Sequence, residues 1–209
     1  YINNEYPQLL NAEHLWGKTT HKTEDIIHRD IDKKASIASI GPAGENLVRY
    51  ACVTNDRYRN AGRGGSGAVL GSKRLKAIAV YGTKQVPIAK PKKLQKAVVE
   101  IYKKNRIDHL GTPSVLQEAQ DTSSLPTRNF QQGWFEEANK INGKTMRRKI
   151  VVKDVPCFNC TRACGKLSII KSGSWKGTTL VGPEYETLGM IGSNCGISDL
   201  GAIAYANLL

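Results

Sequence analysis

The stretch Pro156-Cys157-Phe158-Asn159-Cys160-Thr161-Arg162-Ala163-Cys164-Gly165 places three thiols in one short loop. Disulfides among them would each close only a tiny ring and could staple little of a fold. A bound metal centre explains the spacing better. Zinc usually takes its ligands as two separated pairs, whereas a C-x2-C-x3-C run wrapping one face of a cubane suits an iron–sulfur cluster whose fourth thiolate comes from elsewhere. Spacing alone leaves zinc, or plain buried or free thiols, open as alternatives.

Around that run lies a chain of 209 residues, 40% hydrophobic, with five cysteines and a formal net charge of +13. The length holds one large domain or two small ones, and the composition is that of a globular protein. Thiols gathered in one loop fit a reducing compartment. With no apolar run of membrane-spanning length and no signal peptide, the expected location is cytoplasmic and no membrane partner is expected. The charge by itself would fit a nucleic acid. However, Lys90, Lys92, Lys93, Lys96, Lys103, Lys104, Lys140, Lys144, Arg147, Arg148 and Lys149 are spread along the chain. That distribution points to a solvated face, and next to acidic redox partners or anionic ligands, so no nucleic acid is expected. Tyr1 is not preceded by Met and the last residues read as an unfinished apolar helix, so a fragment of a longer protein is expected.

The second informative stretch runs from Asn55 to Lys73, with glycine at 62, 64, 65 and 67 and arginine at 57, 59 and 63. Glycines let a backbone approach a ligand and turn its N–H groups inward, and a helix starting near Gly65 would aim its dipole at the same anion. A phosphate site is the expectation; a glycine turn among surface arginines is the plainer alternative. Gly62, Gly64 and Gly67 satisfy G-x-G-x-x-G, but no acidic residue follows at the distance of a dinucleotide ribose ligand. The Walker pattern fails because Ser72 separates Gly71 from Lys73.

The remaining periodicities predict an α+β chain. A strand and turn covers 1–17. A helix runs from Thr23 to Ile31, with Glu24 and Asp25 in its first turn and Ile26, Ile27 and Ile31 inward; His21 and His28 read as surface residues. Strands are expected at Ala35–Ile40, Leu47–Thr54 and Ala77–Val80, with Gly41-Pro42-Ala43-Gly44 as a turn and Cys52 as a small core residue. Pro87 and Pro91 mark a linker between a first domain, 1–88, and a second, 89–209. Leu94, Ala97, Val98, Ile101 and Tyr102 define an amphipathic helix, and another helix covers Ser114–Gln120. A long irregular loop, 121–135, precedes a helix over Glu136–Asn142 and a strand at Ile150–Val152. After the cysteines come a hairpin turning at Gly173 and helices at Tyr185–Met190 and from Ser198 onward. Glu184 and Glu186, at a helix start, read on their own as caps before catalysts.

The order of these pieces resembles the aldehyde:ferredoxin oxidoreductase family, the tungsten- or molybdenum-dependent bis-pterin enzymes. The matching segments are Ile40-Gly41-Pro42-Ala43-Gly44-Glu45-Asn46-Leu47-Val48, Ala61 to Val69, Gly71-Ser72-Lys73, Leu75-Lys76-Ala77-Ile78, the cysteine run, and Gly182-Pro183-Glu184-Tyr185-Glu186. The resemblance implies that 1–88 is the end of a β-rich, pterin-cradling first domain and that 89–209 opens a mainly helical one. Pterin and phosphate contacts carry over to Arg59, Asn60, Gly62 and Arg63, with Mg2+ at the pterin phosphates. Asn60 departs from the alanine expected there, a change that a backbone contact survives. Three ligands of a [4Fe-4S] cluster carry over to Cys157, Cys160 and Cys164, and an acid–base carboxylate beside the metal to Glu186. Cys195 is expected to be a buried thiol, because the resemblance places the fourth ligand later; the alternative is that Cys195 is itself that ligand.

The implied reaction is oxidation of an aldehyde to a carboxylate, with electrons passed through the cluster to ferredoxin and a homodimer as a permitted assembly. The alternatives are a tungsten subunit of a larger reductase complex of the aromatic acyl-CoA reductase type and, from another class, a basic Fe–S or zinc module that binds nucleic acid.

Overall fold

The computed structural model describes residues 1–104 and 109–208. It divides into two compact units, residues 1–88 and 89–209, each with its own core. The chain is mixed α+β, with a sheet in each unit.

In the first unit, helix α1 (Thr20–Asp30) begins three residues earlier than its periodicity suggests, because Thr19 Oγ1 accepts from Lys22 N–H and caps it. Glu24 and Asp25 therefore lie beyond the first turn, where they meet Arg57 instead of the helix dipole. Ile27 is buried, whereas Ile31, expected inward, is exposed. Strand β1 (Ser36–Ser39) leads into α2 (Pro42–Glu45), a single helical turn where a simple turn was expected. Pro42 sits at the start of that helix, a position that needs no N–H donor.

The apolar run Leu47–Thr54 is not one strand. Leu47 takes a left-handed conformation (φ 57°) and is exposed, as is Tyr50, and only β2 (Val53–Asn55) pairs. Cys52 is half-buried, not a core residue. A hairpin joins β2 to β3 (Arg59–Ala61); α3 (Ser66–Ser72) and β4 (Ala77–Val80) follow. All pairings in the resulting sheet, ordered β3-β2-β1-β4, are antiparallel. Its inner face packs Ile37 and Ala79 with Leu15 and Ile27. Residues 1–17 form no strand proper: Ile2 makes a lone bridge to Val80, and Glu13–Leu15 forms a 3-10 turn.

The second unit begins with α4 (Pro91–Lys104), the amphipathic helix its sequence predicts, although none of its residues is buried. Helices α5 (Ser114–Asp121), α6 (Ala138–Ile141) and α7 (Gly143–Lys149) follow. The last was not anticipated, and it starts where Asn142 Oδ1 accepts from Thr145 N–H. Strands β5 (Val151–Val155), β6 (Gly165–Ile169) and β7 (Thr179–Val181) make an antiparallel three-stranded sheet. Helix α8 (Tyr185–Thr187) continues through a π-helical turn, Leu188–Gly192, and a 3-10 turn, Ser193–Cys195, to α9 (Leu200–Leu208). Leu116, Phe135, Ile141, Met146, Leu188 and Ile203, each almost wholly buried, form the centre of this core.

Candidate functional site

In the first unit the glycine stretch is held from three sides. The β2–β3 hairpin is tied to α1 by Arg57, whose backbone N–H donates to buried Glu24 (3.0 Å) and whose guanidinium pairs with Glu24 and Asp25. Asp56 fixes the same hairpin to β1, accepting from Ile37 N–H (2.9 Å) through Oδ1 and donating its own N–H to Ile37 O. Beneath, Lys76 and Glu45 form an ion pair closed off from solvent (2.5 Å), with Lys76 Nζ also donating to Lys18 O and Gly17 N–H to Glu45. Groups this deeply placed are tolerated because each is paired and hydrogen-bonded.

The glycines themselves divide into two kinds. A Cβ on Gly65 would lie 2.1 Å from Arg49 O, one on Gly67 2.5 Å from Cys52 O, and one on Gly71 1.9 Å from Gly44 O. These three exist so that α3 can rest on neighbouring backbone. Among the described residues, a Cβ on Gly62 or Gly64 would meet nothing within 4 Å. Gly64 still needs its lack of a side chain for a φ of 93°, but Gly62 has no positive φ and no crowding. The described residues therefore give no packing or backbone reason for glycine at 62.

Gly62, Arg63 and Gly64 are exposed, and Arg59 is half-buried on β3. Asn60 directs its side-chain oxygen across the ladder, where Oδ1 accepts from Thr54 Oγ1 (2.8 Å). Helix α3 has seven residues, and the Gly67 N–H of its first turn already donates to Ala51 O (2.9 Å), so the expected dipole contribution to an anion site is small.

In the second unit the cysteine loop links β5 to β6. Cys157 and Cys160 are exposed and Cys164 is half-buried; all three are free thiols. Cys160 N–H closes a turn on Cys157 O (3.0 Å), and Asn159 (φ 54°) and Ala163 (φ 47°) bend the backbone through the left-handed region. Phe158, 94% exposed, stands out from the loop. Among the described residues no three Cys, His, Asp or Glu side chains converge to hold a single metal ion. The donor set fits a cluster nonetheless: a cubane takes each thiolate on a different iron, so its ligands need not meet at one point.

The far end of this loop is fastened from below. Lys166, 1% exposed, donates from Nζ to Ala163 O (3.0 Å) and pairs with Asp154 (3.1 Å), which also pairs with Arg147. Burial pushes the Asp154 carboxyl up, but hydrogen bonds from Arg147 and Lys166 outweigh it and hold the pKa below the usual range. A Cβ on Gly111 would lie 2.5 Å from Cys164 O, so that glycine too is a close-approach residue.

Glu186 follows the cis Gly182–Pro183 bond, at the start of α8, and is exposed. Its neighbour Glu184 instead accepts from Thr112 Oγ1, which in turn accepts from Tyr185 N–H (3.1 Å). Cys195, expected to be buried, is exposed, with its thiol 3.2 Å from Met190 O. His21 and His28, read as surface residues, are half-buried and bond Arg57 O (3.3 Å) and Ala35 O (2.9 Å). Sequence reasoning missed Lys166, Asp154 and Gly111 around the cysteine loop. The one local signal was a lysine directly after Cys164-Gly165 on an otherwise inward strand face. Cavities of about 450 Å3 (beside Trp16 and Arg74) and about 400 Å3 (beside Lys149 and Lys171) include no residue of either loop.

Comparison with known proteins gives consistent matches. Residues 1–82 match the family model for the N-terminal domain of aldehyde ferredoxin oxidoreductase, and residues 91–209 the model for its domains 2 and 3. Over 99% of its length the chain is 43% identical to the tungsten-containing aldehyde ferredoxin oxidoreductase of Thermococcus kodakarensis and 42% identical to that of Pyrococcus furiosus. It is 30% identical to the WOR-like subunit of an aliphatic sulfonate oxidoreductase of P. furiosus. Among solved structures it superposes on a chain of the BamBC active-site complex of benzoyl coenzyme A reductase, with a TM-score of 0.71 and 27% identity. That match covers 97% of this chain and 33% of the other. The chain spans about a third of the length of the curated relatives, 35% of each of the first two. No helix among the described residues is long and apolar enough to cross a membrane.

Proposed function

This chain belongs to the aldehyde ferredoxin oxidoreductase family, and on that premise we propose that it contributes a pterin-contacting loop and three cluster ligands to an enzyme oxidising aldehydes to carboxylates. The observation that carries the proposal is Gly62, whose glycine identity the fold leaves unexplained in a stretch flanked by Arg59 and Arg63. Gly62 and the Asn60 backbone would lie against the pterin, and the two guanidiniums would pair with its phosphates. Cys157, Cys160 and Cys164 would hold three irons of a [4Fe-4S] cluster, their thiols free of disulfides. When bound, a tungsten or molybdenum bis-pterin supplies the two-electron chemistry at the carbonyl carbon, and the cluster supplies one-electron steps toward an acceptor such as ferredoxin.

The protein's own part is binding, orientation and proton transfer. Oxidation of RCHO with water to RCOO− releases two electrons and three protons, so a base must stand near the carbonyl. Glu186 fills that role in the proposal, a carboxylate oxygen taking a proton as water adds. The described residues leave Glu186 exposed, so the dry surroundings such a base needs are to be provided by the bound cofactor and the rest of the enzyme. In the full-length protein, Glu186→Gln is expected to keep tungsten or molybdenum and iron while turnover falls by about 100-fold or more. Unchanged turnover in that loaded variant removes Glu186 from the mechanism.

Benzoyl coenzyme A reductase is the second reading, favoured by the TM-score of 0.71. Identity of 43% against 27% supports the aldehyde reading over this one. Parallel assays with an aldehyde and an aromatic acyl-CoA separate the two.

A further inference from the structure

We infer that Lys166 is a positioning residue for the cysteine loop and that its ammonium sets the reduction potential of the cluster held there; the inference rests on the cluster reading above. Three observations carry it. Lys166 is 1% exposed, an unusual placement for a lysine, and its Nζ reaches out of β6 to the carbonyl of Ala163, the residue before the Cys164 ligand. Ala163 occupies the left-handed region at φ 47°, a conformation that persists in a non-glycine residue only where its surroundings enforce it. Gly111 comes so close to both Cys164 O and the Lys166 side chain that no Cβ fits between, so the Cys164 end and the lysine beneath it are packed together against that backbone. By contrast, the Cys157–Cys160 end is exposed.

The electrostatic consequence follows from charge and depth. Adding one electron to an iron–sulfur cluster adds one negative charge, and a buried ammonium beside the ligand loop stabilises that charge more than a solvated one does. Lys166 therefore raises the potential of the couple. Asp154, paired with both Lys166 and Arg147, works in the opposite direction. A lysine serving only as packing beneath the loop would have no such signed effect.

The test is a reductive titration of the cluster, followed by electron paramagnetic resonance in the full-length protein, with iron content measured on the same samples. Lys166→Met is expected to shift the midpoint potential downward and Asp154→Asn to shift it upward, with iron unchanged. Lys166→Arg keeps the charge and is expected to stay close to the parent value. Where Lys166→Met loses iron or fails to fold, Asp154→Asn and Lys166→Arg decide: an upward shift with the first and parent-like behaviour of the second uphold the proposal. Shifts of the same sign for the methionine and asparagine variants, or no shift in either with iron retained, overturn it. An unsubstituted protein containing zinc or no iron overturns the cluster reading itself, an outcome distinct from any behaviour of the variants.

Discussion

The glycine loop and the cysteine loop are held in place by different physics. In the first, ion pairs at Arg57 and Lys76 hold the surrounding elements, but the glycines themselves are seated by shape: Gly65, Gly67 and Gly71 let α3 lie against the carbonyls of Arg49, Cys52 and Gly44 with no room for a methyl group. The second is fixed largely by charge, with Arg147, Asp154 and Lys166 linked in a chain that ends on the Ala163 carbonyl. Shape leaves an exposed, stiff backbone for a flat ligand to approach. Charge leaves an electric field beside the three thiols. Each mode of support suits what the loop is proposed to hold.

The comparison breaks most visibly if the packing glycines tolerate side chains. Gly71→Ala sets a Cβ 1.9 Å from a backbone oxygen that cannot swing aside. It is expected to cost about 3 kcal/mol, and Gly67→Ala about 1–3 kcal/mol, read as a lower denaturation midpoint of the full-length protein. Parent-like midpoints for both would show that α3 is not held by close backbone contact. Next in size is a substitution with no expected effect on the fold. Gly62→Ala is predicted to keep stability within about 0.5 kcal/mol of the parent, while Gly62→Val sharply lowers the pterin recovered per chain. Full pterin in the valine variant would make Gly62 an ordinary loop residue.

The smallest effect concerns pH and belongs to the unit held by charge. The Arg128 guanidinium, bonded to Glu136 across the long loop, holds that carboxyl down at about 2 instead of the ordinary 4.5. A lowered folded-state value means the contribution is present above 4.5 and is lost as pH falls from there toward 2. Asp154, held below its ordinary 3.8, adds a loss of the same sign at the acid end. Glu136→Gln should therefore flatten the acid limb of the stability profile and leave the neutral plateau nearly unchanged. An equally steep acid limb in that variant removes the pair from the account.

These tests also mark where sequence was sufficient. Periodicity located α1, β1, β4, α4, α5 and the β6–β7 hairpin to within a few residues, because each carries its pattern locally. It failed at Leu47–Thr54, where an apolar run bends at Leu47 and exposes Tyr50, and at Pro42–Glu45, where Pro and Gly mark a turn and a short helix equally well. Cysteine type and separation were legible because both lie in one short window, and the metal ligation proposed from them is left to iron analysis. The division of labour among the glycines was not, since it depends on carbonyls at Arg49, Cys52 and Gly44 that no local window contains. Glu24 was misread for the same reason: its partner Arg57 lies 33 residues further along the chain.

The most direct measurement of the central claim is iron and pterin analysis on the same preparations of full-length parent, Cys160→Ser and Gly62→Val proteins. The account predicts iron in the electron-paramagnetic-resonance signature of a [4Fe-4S] cluster together with pterin in the parent, cluster loss in the cysteine variant, and pterin loss in the glycine variant. Zinc in place of iron, or both cofactors retained by both variants, would contradict it.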